Sequence, residues 1–139
     1  MDDFRLWVPL RPRFRDTDAM GHLNNAVYMT YFEVARAEYW RAMTGDVNYQ
    51  RVPFILAHTT IDFRSPAFVH EPLEIGIRVS RLGTKSFECV YRIVEATTRR
   101  LVCDGRSVQV IFDYTKDVSR PLPDDLRATF RAFEGRPGL

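Results

Sequence analysis

The spacing of apolar residues changes character along the chain, and each change marks an element. Phe4, Leu6, Val8 and Leu10 alternate with Arg5, Trp7, Pro9 and Arg11, the period of a half-buried strand. Pro9 has no amide to donate, which places that strand at a sheet edge or near a bulge. Residues 15–25 lose all periodicity and are rich in Asp, Asn and Gly, so they predict a loop. From Ala26 to about Thr44 apolar residues recur at three and four: Val27, Tyr31, Val34 and Ala35 form one stripe, and Tyr28, Phe32, Ala35, Tyr39 and Met43 another. Together they predict a helix with a wide apolar face. Asn24 or Asn25 suits its N-cap and Gly45 its stop, while Glu33 with Arg36 and Glu38 with Arg41 set opposite charges three apart on the polar edge.

Beyond the helix the period is that of strands. Residues 54–63 are rich in β formers, Leu73, Ile75, Ile77 and Val79 alternate with Glu74, Gly76, Arg78 and Ser80, and residues 85–96 and 101–113 read as two long strands. Turn signals separate them at Ser65-Pro66, Glu71-Pro72 and Leu82-Gly83. A strand, one long helix and then four closely connected strands predict an α+β fold, with an antiparallel sheet lying against the helix. No crossover helices exist to join parallel strands. A short helix from about Pro123 to Phe133 and a loose tail are expected in the segment from about residue 119.

Composition narrows the function classes. At 139 residues, 45% hydrophobic and 27% charged, the chain has the size of a single domain spanning 1–139. Twenty Lys plus Arg against eighteen Asp plus Glu, without a basic stripe, argue against nucleic acid as a partner. No apolar run is long enough for a membrane-spanning helix, and Met1-Asp2-Asp3-Phe4-Arg5 is not the start of an export signal, so a cytoplasmic protein is expected. Counted from a turn near Thr97 and Thr98, Cys89 and Cys103 are not opposite one another, which favours two reduced thiols. His22, His58 and His70 lie too far apart in sequence for a paired metal motif.

Candidate chemistry concentrates in the loop before the helix. Asp16 and Asp18, then Gly21, His22, Asn24 and Asn25, lie just upstream of helical amides that have no internal partners. Such amides and the aligned peptide dipoles favour developing negative charge, for instance on a carbonyl under attack. An ionised carboxylate nearby could attack that carbonyl or deprotonate a water that does. Asp and Asn at such positions also serve as caps and turn formers, and a lone His as an ordinary loop residue, so both readings stand at this point.

The stretch from Arg15 through Asp16, Asp18, Gly21, His22 and Asn25 to Tyr28, followed by Tyr31-Phe32-Glu33-Val34-Ala35-Arg36, resembles the opening motif of the hotdog-fold acyl-CoA thioesterases of the 4-hydroxybenzoyl-CoA thioesterase type. Thr60-Ile61-Asp62-Phe63-Arg64-Ser65-Pro66-Ala67 and Arg81-Leu82-Gly83-Thr84-Lys85-Ser86-Phe87 extend the likeness over roughly residues 4–115. The resemblance implies a hotdog fold, a sheet wrapped around one long helix, and hydrolysis of an acyl-CoA or related acyl thioester to a carboxylic acid and free thiol. By position it makes Asp18 the catalytic carboxylate and the Asn25 backbone amide the group polarising the thioester carbonyl, with Asp16 structural. Lys85 and Ser86, with Arg81, become candidates for the CoA phosphates. Tyr28 and Phe32 become candidates for the acyl channel, beside their ordinary role as core. No cofactor is implied, CoA being part of the substrate.

His22-Leu23-Asn24-Asn25 is also similar to the acyl-carrier-protein thioesterases, in which Asp, Asn and His cooperate, which adds His22 to the catalytic candidates. Met20 stands in place of that branch's Asn, and His70 and Glu71 come after the Pro-containing turn where a Gly and an acid often occur. Alternative readings are a hotdog enoyl-thioester hydratase or dehydratase, and a non-catalytic acyl-thioester-binding module. Hydratases of this fold place Asp and His five apart around Asn-Pro, whereas Asp18 and His22 are four apart without Pro. One sheet on one helix leaves a large face uncovered, so a homodimer is expected, and the family adds a tetramer.

Overall fold

A computed structural model describes residues 3–48 and 52–139; Met1 and Asp2, which open the N-terminal reading above, lie outside it. Strands β1 (Leu6–Leu10), β2 (Phe54–Phe63), β3 (Leu73–Leu82), β4 (Ser86–Glu95) and β5 (Leu101–Asp113) form an antiparallel sheet in the order β1-β3-β4-β5-β2, and the two-residue β6 (Val118–Ser119) adds to β5. Helices are α1 (Val27–Thr44) and α2 (Asp124–Glu134). The antiparallel sheet and central helix thus agree with the periodicity, and Pro9 lies in the edge strand β1, facing Glu74 of β3.

Helix α1 lies across the inward face of the sheet. Phe32 and Ala35 are buried there with Ile75, Ile77 and Val79 of β3 and Phe87, Tyr91 and Ile93 of β4, in one apolar cluster. The Phe32 ring stacks on Tyr91 at 4.1 Å and 4°. It can lie so flat because Gly105 of β5 has no side chain: a Cβ there would run into the Phe32 ring and come within 2.8 Å of the Thr60 carbonyl.

Three local expectations are corrected. Arg36 is not on the polar edge beside Glu33 but buried, and its Nη1 donates to the Tyr91 hydroxyl at 3.0 Å. It falls on the inward face, where a polar chain from Tyr91 through Ser107 to Gln109 receives it. Neither Asn24 nor Asn25 is the residue flanking the helix; that is Ala26, already helical and without a side-chain cap. Asn24 acts one step earlier, accepting the Ala26 amide on Oδ1 and the Val27 amide on its carbonyl, both at 3.0 Å. The helix expected from about Pro123 to Phe133 is α2, but the tail after it is not loose: Arg131 Nε donates to the Leu139 carbonyl at 2.7 Å, and Leu139 packs against the core. Glu134 anchors α2 from inside, accepting the Tyr39 hydroxyl at 2.6 Å and the Val79 amide at 2.8 Å.

Gly45 ends α1 in the left-handed conformation at φ 78°, and the Glu38–Arg41 pair forms at 2.5 Å. Cys89 and Cys103 are free and buried, not opposite one another: Cys89 faces Ser107 and Cys103 faces Ile93. Burial pushes both thiols up to about 12, so they remain protonated.

Candidate active site

Asp16 closes a 3-10 turn, Phe14–Asp16, and its carboxylate is buried. It accepts the Arg13 amide at 2.9 Å, the Arg13 guanidinium at 3.1 Å and the Tyr31 hydroxyl at 2.9 Å. Burial alone would raise its pKa, but those bonds and the Arg13 charge together hold it below the ordinary Asp value. All its acceptor capacity is directed at the protein, which is the work of an anchor.

Asp18 is placed by a tight reversal. Its amide donates to the His22 carbonyl at 2.8 Å, Gly21 returns to its carbonyl at 3.1 Å, and Gly21 takes φ 80°, a conformation glycine adopts without strain. Side-chain Oδ1 accepts the Met20 amide at 2.9 Å and the His22 amide at 3.2 Å. Oδ2 has no protein partner among the described residues. The reversal continues as an antiparallel pair: Thr17 bridges Leu23, and the Asn24 amide donates to the Asp16 carbonyl at 2.8 Å. That pairing folds the start of α1 back beside Asp18.

A cleft of about 330 Å³ opens here, lined by Asp18, His22, Asn25 and Tyr28 on one side and by residues 63–66, at and just beyond the end of β2, on the other. The Asn25 amide, just ahead of the helix, meets no acceptor among the described residues. His22 contributes its main chain to the Asp18 turn, bridges Phe68, and stands edge-on to the Phe68 ring at 5.1 Å. Tyr28 is buried between Tyr31 and Phe63, at 6.2 and 5.2 Å between ring centres, and burial pushes its phenol up to about 12.

Sequence reasoning did not find the group that holds the far wall. Arg100 grips Glu71 with two bonds, at 2.8 and 2.9 Å, and from the same guanidinium reaches Ser65 Oγ at 3.2 Å and the Pro66 carbonyl at 3.1 Å. The Arg100 bonds, foremost, hold the Glu71 carboxyl below its ordinary range. Glu71 stood out only as a departure from the family pattern, and Arg100 is one of twenty basic residues with no distinguishing spacing.

Arg81, Lys85 and Ser86 are not brought to this cleft within one chain. They surround the β3–β4 turn, where Ser86 faces Val110, whereas the cleft adjoins the start of β5, at Leu101. The two places are separated by much of a strand, roughly 20–30 Å at about 3.3 Å per residue. Lys85 is exposed, and the turn is clamped from α2 by Arg127, which donates to the Gly83 carbonyl at 2.5 Å. Among the described residues no group of three or more His, Cys, Asp or Glu could hold a metal ion, and no helix is long and apolar enough to cross a membrane.

Comparison with known proteins shows the fold and the family. The acyl-CoA thioester hydrolase YbgC of Escherichia coli O6:H1 is 29% identical over 126 residues, covering 88% of this chain and 93% of that protein. The crystal structure of a thioesterase complexed with coenzyme A and Zn from Thermus thermophilus superposes with a TM-score of 0.88 at 31% identity, covering 99% of each chain. A predicted thioesterase from Bacillus stearothermophilus gives 0.84 at 26% identity, over 95% of this chain and 98% of that one. The fold is therefore the hotdog fold. The model of the thioesterase-like superfamily matches residues 12–130, and the chain belongs to that superfamily.

Proposed function

We propose that this protein hydrolyses acyl-CoA thioesters, with Asp18 as the general base or nucleophile and the Asn25 amide as the donor to the developing oxyanion. The observation that carries the reading is the unpartnered Oδ2 of Asp18 in a cleft shared with the unpaired Asn25 amide. In the general-base form Asp18 takes a proton from water as the water oxygen adds to the carbonyl carbon. Collapse of the adduct breaks the C–S bond, and the departing sulfur takes up the proton as a free thiol. In the nucleophilic form Asp18 itself adds, and the C–S bond breaks to release the thiolate and leave a mixed anhydride. Water then hydrolyses the anhydride, which returns the Asp18 carboxylate, with a proton of that water passing to the thiolate. Both forms need the carboxylate ionised and the oxyanion met by a fixed donor. His22 orients Asp18 through its amide, and neither form requires a metal or redox cofactor.

A second copy of the chain completes the site in this reading. β2 is an edge strand of ten residues that among the described residues pairs only with β5, and it exposes Ile55, Leu56 and Phe63. Such an edge is an open template for another strand. Pairing two β2 edges antiparallel about a two-fold axis covers it and sets the start of one β2 beside the end of the other. The β3–β4 turn lies at the end of the sheet where β2 starts, so the turn of each copy comes to the same end as the other copy's cleft. Lys85, Ser86 and Arg81 then serve the CoA phosphates from across the interface, with Lys as a compact point charge. Two such dimers form the tetramer.

Release of free thiol from a panel of acyl-CoA esters tests the activity. Loss of enoyl absorbance without thiol release would instead indicate a hydratase, and ligand retained unchanged would indicate a binding module.

A further inference from the structure

We propose that the Tyr28 hydroxyl is a specificity-determining donor that selects acyl groups carrying an acceptor oxygen along their chain. The inference rests on the thioesterase reading and adds the chemical class of the acyl group.

Five tyrosines are described, and four of their hydroxyls have protein partners. Tyr31 donates to Asp16 at 2.9 Å, Tyr39 to Glu134 at 2.6 Å and Tyr114 to the Phe54 carbonyl at 2.7 Å, while Tyr91 meets Ser107 at 2.6 Å and Arg36 at 3.0 Å. Tyr28 has none among the described residues, although only 2% of its surface is exposed. The ring is enclosed, but the hydroxyl oxygen keeps contact with solvent, and the residue lines the cleft. Edge contacts with Tyr31 and Phe63 hold the ring in place against that cleft. Glu71, whose charge is felt at Tyr28, already has its two oxygens engaged by Arg100. With its phenol raised to about 12, Tyr28 stays a donor at any physiological pH.

Position on the helix says which part of a substrate it meets. Tyr28, the second residue of α1, and Asn25, just ahead of the helix, line the same cleft. Among the residues lining the cleft only Leu23 and Tyr28 are buried, which makes them its floor, with Asp18, His22 and Asn25 nearer the mouth. A thioester carbon held between Asp18 and Asn25 sends its CoA arm outward and its acyl group inward, onto the phenol.

The test walks an oxygen along one acyl chain, comparing hexanoyl-CoA with 3-oxo-, 4-oxo- and 5-oxohexanoyl-CoA in the parent and in Tyr28→Phe. The expected result is an oxygen position at which the parent prefers the oxo ester over hexanoyl-CoA by about tenfold in kcat/KM, the size of one neutral hydrogen bond, with that preference abolished in Tyr28→Phe. Equal losses on all four esters, ratios untouched by the substitution, or no preference in the parent would overturn it. The variant's thermal midpoint should match the parent's, and a marked fall would show a protein partner for the hydroxyl and also overturn it. If no ester is hydrolysed, the thioesterase reading fails separately. The same ratios, taken as dissociation constants by calorimetry, then decide the role of Tyr28, and absence of binding to all four esters rejects both.

Discussion

The Tyr31 hydroxyl donates to Oδ2 of Asp16 across 2.9 Å, joining residues fifteen apart and tying the loop that carries Asp18 to the second turn of α1. Asp16 and Asp18 are two residues apart, yet the first is enclosed by Arg13 and Tyr31 while the second presents one oxygen to a cleft. The environment around each carboxylate, not its residue type, separates anchor from reagent.

Asp18→Asn preserves the acceptor oxygen for the Met20 and His22 amides and so leaves the turn formed, while removing the ionised carboxylate. Thiol release from acyl-CoA esters should fall about 100-fold or more, the usual scale of acid-base contributions. Turnover equal to the parent's would rule out Asp18 as base or nucleophile.

Asp16 has its folded pKa depressed below an unfolded value of about 3.9. Its contribution to stability is thus present above about pH 4 and is lost as pH falls through the lower folded value, because the unfolded chain binds the proton first. Asp16→Asn should be less stable than the parent in urea at pH 7, and the gap should narrow toward pH 3. A gap independent of pH would contradict the ion-pair account.

Lys85→Ala should raise KM for CoA esters several-fold and leave KM unchanged for a truncated thioester lacking the nucleotide. Steady-state kinetics on both substrates decide it, since equal effects on the two would remove Lys85 from the phosphate site.

Leu56→Glu places a charge on the exposed β2 edge. Light scattering should show the parent as a dimer or larger and the variant as a monomer with little activity, the nucleotide-binding turn now being absent from the cleft. A fully active monomeric parent would refute assembly of the site from two copies.

Gly105→Ala forces a methyl group into the Phe32 ring, which is itself pinned flat on Tyr91. Overpacking of this kind costs about 1–3 kcal/mol. Urea unfolding measures it, and a neutral effect would mean that Phe32 has room to move.

Much of the molecule was legible in one dimension. Period two and period 3.6 are imposed by backbone geometry and by the need to hide one face, so β2 to β5 and α1 fall within two residues of their expected bounds. The loop motif likewise pointed to Asp18 and Asn25, which line one cleft. Arg36 misled because helical periodicity specifies direction but not the partner waiting there. A charge is expected outside until a buried hydroxyl chain such as Tyr91–Ser107–Gln109 is known to receive it. Arg100 and Glu71 were invisible for a related reason: they lie 29 residues apart and meet only when β3, β5 and the loop after β2 converge.

The sequence by itself therefore determined the elements, the antiparallel arrangement and the segment where chemistry could reside, because these follow from local geometry and from which residues water rejects. Only the tertiary structure decided which oxygen of Asp18 is unengaged, which tyrosine lacks a partner, and that the 81–86 turn lies at the far end of its own sheet. Those are properties of distances between residues remote in the chain, fixed by packing, and no spacing along a single strand or helix contains them.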